Sequence, residues 1–441
     1  MIVLLKNFKN IFLVPELRKK LGFTLGVLAV FRFGAHIPVP GVNLSALQAL
    51  MSSKFAGGLL SYLDLFSGGA LKQFAIFALG ISPYITASIM MQLLTMMVPS
   101  LEMLSKEGEY GRKIINQYTR YLTLGLSLVQ GFMLSIFIES QPGVVLNPGF
   151  GFKLLTVLIL SVGSIFVMWL GEQINAHGLG NGSSIIIFAG IVVNLPGAII
   201  KLVSLINLGQ TDPLVAIFLL LISIAVVAMI VFLEKGERRV VVQYAKRVVG
   251  QKVYGGQSSY IPFKINPSGV IPVIFASTIG QLPVMLTRFL ATSFPSTITN
   301  SIADLFNYGG FLFFIIQTGL IIFFAFFYTA IIFNPVELAD NIRKSGGFIP
   351  GIRPGKRTSE FFDYLLTRIG LPGAIYLASL ALVPSLLQIA FNFPVMFSGI
   401  SLLIVIGVAM DMSAQIESHL IERRYEGFLT SGRLKGRLGR Y

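Results

Sequence analysis

The sequence has no cysteine, only three histidines and one tryptophan, and just 12% of its 441 residues are charged. Without cysteine there is no disulfide, no thiolate metal site and no thiol nucleophile. His36, His177 and His419 are far apart and match no metal-ligand spacing. A soluble domain carries about twice this charge fraction, so division into ordinary soluble domains is excluded. No Gly-x-x-x-x-Gly-Lys-[Ser/Thr] phosphate loop occurs. Any work the protein performs must therefore be driven by a partner or by the membrane potential.

What the sequence does have is apolar length. Hydrophobic residues make up 54% and the mean hydropathy is +0.79. A hydrocarbon core about 30 Å thick needs roughly 20 apolar residues per helix, and ten apolar segments read as candidate spans. They are Leu21–Ala35, Phe74–Val98, Tyr121–Ile138, Leu154–Leu170, Ser183–Ile200, Leu214–Leu233, Val270–Leu286, Phe311–Phe333, Leu371–Phe391 and Val395–Met410. The pattern predicts an all-α integral membrane protein.

The net charge of +15 is distributed unevenly. Alternate loops hold clusters such as Arg18-Lys19-Lys20, Arg112-Lys113, Arg238-Arg239, Lys246-Arg247, Lys356-Arg357 and Arg423-Arg424. The intervening loops offer only Lys54, Lys72, Lys153, Lys201 and Arg288. By the positive-inside rule both termini are cytoplasmic. Arg32 then lies near the outer end of the first span, where its expected role is to snorkel to the interface. The apolar run before it ends in no small-residue cleavage site, so the first span is expected to stay in the mature protein.

Five spans precede the polar outer connection Lys201–Pro213 and five follow it. An odd number per half would make any repeat an inverted one, an arrangement that many transport proteins use to place a pathway between halves. The expected halves are 1–205 and 206–441. Two inner loops, 234–266 and 334–368, are longer than connection requires. In the first, the β-branched run Arg238–Arg247 reads as a strand and Gly255-Gly256 as a turn. The second is rich in Gly, Pro and basic residues. Both are either membrane surfaces attracted to anionic lipid or docking sites for a cytoplasmic partner; charge does not decide between these. Outside, the short apolar stretch Leu59–Phe66 before Ser67-Gly68-Gly69 is either re-entrant or an interfacial helix.

The local sequences are similar to those of the SecY family of protein-translocation channels. The resemblance rests on Phe31-Arg32-Phe33-Gly34-Ala35-His36-Ile37-Pro38-Val39-Pro40-Gly41, Phe66-Ser67-Gly68-Gly69, Asn116–Tyr121, Met168–Ile174, Gly178–Gly182 and Tyr244-Ala245-Lys246-Arg247. Its longest run extends from Phe327 through Phe333-Asn334-Pro335 to Pro350-Gly351-Ile352-Arg353-Pro354-Gly355. These matches span about 400 residues in the family's order.

The resemblance implies a clamshell of two inverted five-span halves around an hourglass pore. A short re-entrant plug helix would lie near residues 60–70, at Tyr62, Leu63, Asp64, Leu65, Phe66, Ser67, Gly68 and Gly69. The pore ring falls on Ile81, Ile85, Ile187, Ile274 and Ile404. Such an apolar constriction resists wetting and fits around a passing chain without selecting its sequence. Ser183 stands where many members have another isoleucine; its hydroxyl either weakens the seal or points away. A lateral gate would open between spans two and seven, helped by a bend at Gly80 and Pro83. Thr86, Gln130 and Asn266 resemble a polar cluster at that gate, with plain helix–helix bonding as the alternative. Arg353 matches an arginine needed for motor-driven translocation, and Arg247 part of a docking surface. The implied partners are SecE and SecG subunits, the SecA ATPase, the ribosome, preproteins with their signal sequences, and anionic lipids. No cofactor, catalytic residue or DNA partner is implied. The implied location is the bacterial plasma membrane, with a plastid thylakoid less favoured.

A solute transporter would need polar or charged side chains at the membrane midplane, and these spans are poor in charge. A membrane enzyme would need an acid/base or metal constellation, and none is visible. The predicted orientation is testable in right-side-out vesicles. A cysteine at Gly209 should react with an impermeant maleimide, and one at Lys252 should be protected. The reverse pattern would overturn the orientation.

Overall fold

The computed structural model describes residues 14–53, 64, 67–209, 212–244, 247–249, 252–254, 258–293, 310–391 and 399–431. Tyr62, Leu63, Leu65, Phe66 and the Gly255-Gly256 turn lie outside the described residues.

The first part of the chain forms α1 (Pro15–Gly34), α2 (Leu44–Ser53), α3 (Ser82–Met97), α4 (Pro99–Lys106), α5 (Glu109–Glu139), α6 (Phe150–His177) and α7 (Gly182–Asn207). The second begins with α8 (Pro213–Lys235) and the strands β1 (Glu237–Tyr244), β2 (Arg247–Val249), β3 (Lys252–Tyr254) and β4 (Ser258–Lys264). It continues with α9 (Ile271–Ser293), α10 (Phe311–Ile332), α11 (Pro335–Lys344), β5 (Gly347–Phe348), α12 (Lys356–Phe391) and α13 (Gly399–Ser431). Each of the ten predicted spans contains one of these helices. Among the described residues, α5, α6, α7, α8, α10, α12 and α13 are long and apolar enough to cross a membrane unaided. α1 begins in the charged run Glu16–Lys20, and the clearly apolar part of α9 is Ile271–Gly280.

The second span departs from the expected bent helix. Residues 68–81 are wound as turns, and the helix starts only at Ser82. Gly80 has φ +57°, a left-handed conformation that ends the turns, and Pro83 in the first turn suits a helix start. A second break follows at Val98, where α4 leaves α3 at 101°. Irregular backbone at this depth is tolerated only when protein surrounds it. Ala70, Leu71, Phe74, Ala75, Phe77, Ala78 and Ile81 are indeed buried. The amide of Ile76 donates to the Ile37 carbonyl at 2.9 Å, and that of Val39 to the Phe74 carbonyl at 2.9 Å. The neighbouring helix makes room: a Cβ on Gly163 of α6 would sit 2.0 Å from the Ile76 carbonyl oxygen.

The connection read as polar loop from Lys201 is mostly helix. α7 runs to Asn207, and α8 starts at Pro213 after an Asp212 cap whose side chain accepts from the Leu214 amide. The stretch turns over only at Leu208 and Gly209, the latter at φ +67°. The loop 334–368 is likewise more ordered than its composition implies. Asn334 caps α11 through the amides of Val336 and Glu337, and α12 already begins at Lys356. At about 1.5 Å per residue, the 36 residues of α12 far exceed the bilayer core, and its start packs through Phe362 and Leu366 with residues of both long loops.

The expected strand forms. β1 pairs antiparallel with β4 over Glu237–Gln243, and its other edge takes β5 from the second loop. Val240 and Val242 face inward and pack with Phe263, Ile342, Ile349 and Phe362, as period-two alternation requires. The two long loops thus share one sheet and one small core.

α7 packs against α8 and α13 on one side of the molecule, and α9 packs against α3 and α5 on the other. These are two places where the first five spans meet the last five: one next to the chain connection, one away from it. The close approach at Gly163 gives a prediction. Gly163→Ala should lower the thermal unfolding midpoint in detergent by the equivalent of about 2 kcal/mol. Gly22→Ala, with nothing within 4 Å of the new Cβ, should leave it unchanged or raise it slightly. Equal behaviour of the two would contradict the packing.

Candidate functional site

The five isoleucines predicted to ring a pore come from α7, α9, α13 and the start of α3. Ile81, Ile187 and Ile404 are fully buried, and Ile85 and Ile274 are 8% exposed. All five belong to one apolar cluster with Ile185, Ile186, Ile191, Val273, Leu403 and Val408. Ile81 is the cap residue of α3, set there by the end of the turned half-span. Gly171 of α6 lies beneath it, and a Cβ there would meet Ile81 Cδ1 at 3.5 Å and Ile186 Cδ1 at 3.6 Å. The cluster draws on helices from both sides of the clamshell and contains no charge.

Ser183 is the second residue of α7. Its hydroxyl donates to Asn181 Oδ1 at 2.7 Å, and the same oxygen accepts from the amides of Ser183 and Ser184. The hydroxyl is engaged in the helix cap, the ordinary use of a serine at such a start. It lies one helical turn before Ile187.

Of the predicted plug residues, Asp64, Ser67, Gly68 and Gly69 are described. Asp64 is 2% exposed. Its carboxylate meets Lys72 Nζ at 2.8 Å and accepts from the Lys72 amide at 3.2 Å and Ser67 Oγ at 3.3 Å. Ser67 Oγ in turn accepts from the Leu71 amide at 3.2 Å. A buried carboxylate with this many donors is compensated. Gly68 and Gly69 take φ of +66° and +90°, where a side chain would be strained.

Arg32 does not follow the snorkelling expectation. Its Nη1 donates to the Gly68 carbonyl at 2.7 Å, linking α1 to the turn at Gly68. Sequence spacing gives no hint of this contact, because the partner is a main-chain atom 36 residues away.

The three predicted gate residues lie on or next to helices that pack together, α3, α5 and α9, but Thr86 and Asn266 bond elsewhere. Thr86 Oγ1 donates to the Ser82 carbonyl of its own helix at 3.0 Å. Gln130 is buried on α5. Asn266, just before α9, donates from Nδ2 to Glu234 Oε1 at 2.6 Å and to the Gly269 carbonyl at 3.0 Å. It therefore ties the root of α9 to the end of α8. The seam itself is bridged by Tyr328 of α10, whose hydroxyl lies 3.4 Å from Gln92 Oε1 on α3. The strongest ion pair among the described residues ties α5 to α6, with Arg120 bidentate to Glu172 at 2.9 Å for both bonds. Neither Gln92, Tyr328, Glu234 nor the Arg120–Glu172 pair was singled out as a site in the sequence.

Arg247 opens β2, its backbone opposite Tyr254. Arg353 is exposed, between Gly351 and Gly355 at φ +82° and +104°. Its carbonyl accepts from buried Thr358 Oγ1 at 3.0 Å. The backbone is fixed while the guanidinium is presented to solvent.

Comparison with known proteins agrees with this arrangement. The SecY family pattern matches residues 75–413. The chain is 43% identical over 427 residues to the protein translocase subunit SecY of Aquifex aeolicus, covering 96% of this chain and 98% of that one. It is 44% identical over 424 residues to the protein of the same description from Escherichia coli K12, covering 96% of each. With that of Thermus thermophilus it shares 45% over 441 residues, covering 98% of this chain and 100% of the other. Among solved structures, one described as a protein conducting channel superposes with a TM-score of 0.63 at 17% identity, over 93% of this chain and 94% of that one. Sec61 in the canine ribosome-channel complex gives 0.60 at 16%, with the same coverage. A third concerns the plug domain of a SecY protein, said to stabilise that channel's closed state; it gives 0.62 at 18%, again over 93% and 94%. The structural likenesses carry the fold, the full-length sequence identities carry the kinship, and together they show that this chain belongs to the SecY family.

Proposed function

We propose that the chain forms a protein-conducting channel that passes unfolded polypeptides across the membrane and releases apolar segments sideways into lipid. The observation that carries this reading is the uncharged isoleucine cluster built from α3, α7, α9 and α13, helices of both sides of the clamshell. A constriction shared between two bodies widens when they part, and an apolar one excludes ions until then. Ile81, Ile85, Ile187, Ile274 and Ile404 form the ring in this reading, and the Asp64–Gly69 segment belongs to a plug.

The lateral exit is the seam of α3 and α5 against α9. Thr86 and Gln130 line it, and Asn266 sets the base of the moving helix through Glu234. The two halves, 1–205 and 206–441, are related by inversion, and both termini face the cytoplasm of a bacterial cell.

The cytoplasmic layer of β1, β4, β5 and α11 supplies the docking face for a driving partner, an ATPase motor or a translating ribosome. Arg353 on its rigid glycine-flanked turn and Arg247 at the start of β2 are its contact residues. Relatives of the same fold are described in complex with ribosomes, Sec61 from canine endoplasmic reticulum and the yeast Ssh1 complex. Small companion subunits of the SecE and SecG type, and anionic lipid, cover exposed apolar faces such as that of α8, where Leu214, Phe218, Leu221 and Phe232 are all exposed.

Two experiments test the reading. A single cysteine at Ile187 or Ile274 should crosslink to a stalled translocating chain, whereas one at Ile315, exposed on α10, should not; equal crosslinking would remove the ring assignment. Separately, Arg353→Glu should abolish motor-driven transport while shifting stability by no more than about 0.5 kcal/mol, as expected at an exposed site. Retained transport would remove Arg353 from the mechanism.

A further inference from the structure

Arg32 offers a device that the proposed function leaves unused. It sits near the outer end of α1, partly buried, and its guanidinium turns inward to the Gly68 carbonyl at 2.7 Å. A charged donor to a main-chain oxygen at this distance is a short, charge-assisted bond.

The turn it grips is pinned on its other side as well. A Cβ on Gly68 would lie 2.9 Å from the Gly190 Cα of α7, so two backbones touch there with no room for a side chain. A Cβ on Gly69 would lie 3.5 Å from Asn194 Oδ1 and 3.8 Å from Arg32 Nη1. Asn194 is itself held, its Nδ2 donating to the Gly190 carbonyl at 3.0 Å. The far end of the turn is closed by the Asp64–Lys72 pair. The turn from Ser67 to Lys72 is thus held at Gly68 by Arg32 and at Lys72 by Asp64, between α1 and α7.

From this geometry we infer that Arg32 is the latch of the plug: its bond to the Gly68 carbonyl holds the Ser67–Gly69 turn in its closed seat, and release of that bond precedes opening. This rests on the reading of that segment as a plug. The chemistry suits a latch that must open. Arg32 is bound to a neutral carbonyl, so letting go strands no second buried charge, as parting from a carboxylate would. The neighbours on the other side of the turn, the Gly190 backbone, the Phe31 ring and Asn194, resist compression of the turn but not its departure. Arginine supplies several donors in a rigid fork, so the grip is directional, and lysine at the same place would keep charge but lose part of that geometry.

The test uses the full-length chain in its native complex, reconstituted into vesicles, and exploits the absence of cysteine. Ser67→Cys places a thiol at a position only 1% exposed, and an impermeant maleimide is added from the outer side. With Arg32 present, Cys labelling should be slow. In Arg32→Gln it should be about tenfold faster, the effect of losing one charge-assisted bond, and Arg32→Lys should fall between the two. A parallel thiol made by Thr123→Cys, at a fully buried site on α5, should stay protected in every background. Slow, equal labelling at position 67 with and without Arg32 would show a seated plug and no latch. Fast labelling with Arg32 intact would overturn the seated plug and the latch together. Labelling of position 123 that rises in step with position 67 would show general loosening, and would also overturn the latch.

Discussion

Lipid offers no hydrogen bonds, so the turned half-span at residues 68–81 must satisfy its backbone inside the protein, and the surrounding structure is arranged around that demand. Its amides bond to Asp64, Ser67, Leu71, Ala70, Ala75, Phe77 and the Ile37 carbonyl. α6 gives way at Gly163, α1 at Gly34, where a Cβ would clash with the Phe77 ring, and α7 at Gly190. The turned segment brings Ile81 into the apolar cluster at the head of α3. Were residues 68–81 a regular helix, it would need none of these accommodations, and the chain ahead of α3 could not be seated between α1 and α7.

The distribution of polar bonds separates what stays fixed from what can move. Arg120–Glu172 joins α5 to α6 within the first body, and Glu234–Asn266 joins α8 to the root of α9 within the second. β5 on β1 unites the two long loops of the second body. Across the seam of α3 and α9 the contacts are mainly apolar, with the long Tyr328–Gln92 bond beside them. In lipid, apolar side chains that part from one another meet hydrocarbon of similar character, so separating the bodies carries little hydrophobic penalty. A buried salt bridge across that seam would have cost several kcal/mol to break.

Much of this was legible in the sequence, and the exceptions have a common cause. The spans are visible because burial in lipid demands apolar composition whatever the neighbours are. β1 is visible because Val240 and Val242 alternate with exposed residues. The isoleucine ring is legible only by resemblance, since an isoleucine facing a pore is chemically the same as one facing lipid. The half-span 68–81 reads as an apolar helix because its departure depends on Gly80, Phe74 at φ +45° and the docking surfaces of α1 and α6, none of which composition records. Arg32 read as a snorkelling side chain for a related reason: its partner is a carbonyl, and every residue has one. Asn266 was assigned to a cluster with Thr86 and Gln130, whereas its bonds go to Glu234 and Gly269; a side-chain pair 32 residues apart needs the fold to be seen.

The central claim is that an uncharged ring shared by two bodies seals around whatever passes. Its most direct test is the ion conductance of the reconstituted complex in a planar bilayer with a polypeptide stalled in transit. The native ring should stay nearly silent, because isoleucines packed on the chain leave no wettable path. Replacing Ile187 and Ile404 by serine should produce a steady current under the same conditions. A native complex that conducts as freely as the serine variant would contradict the account.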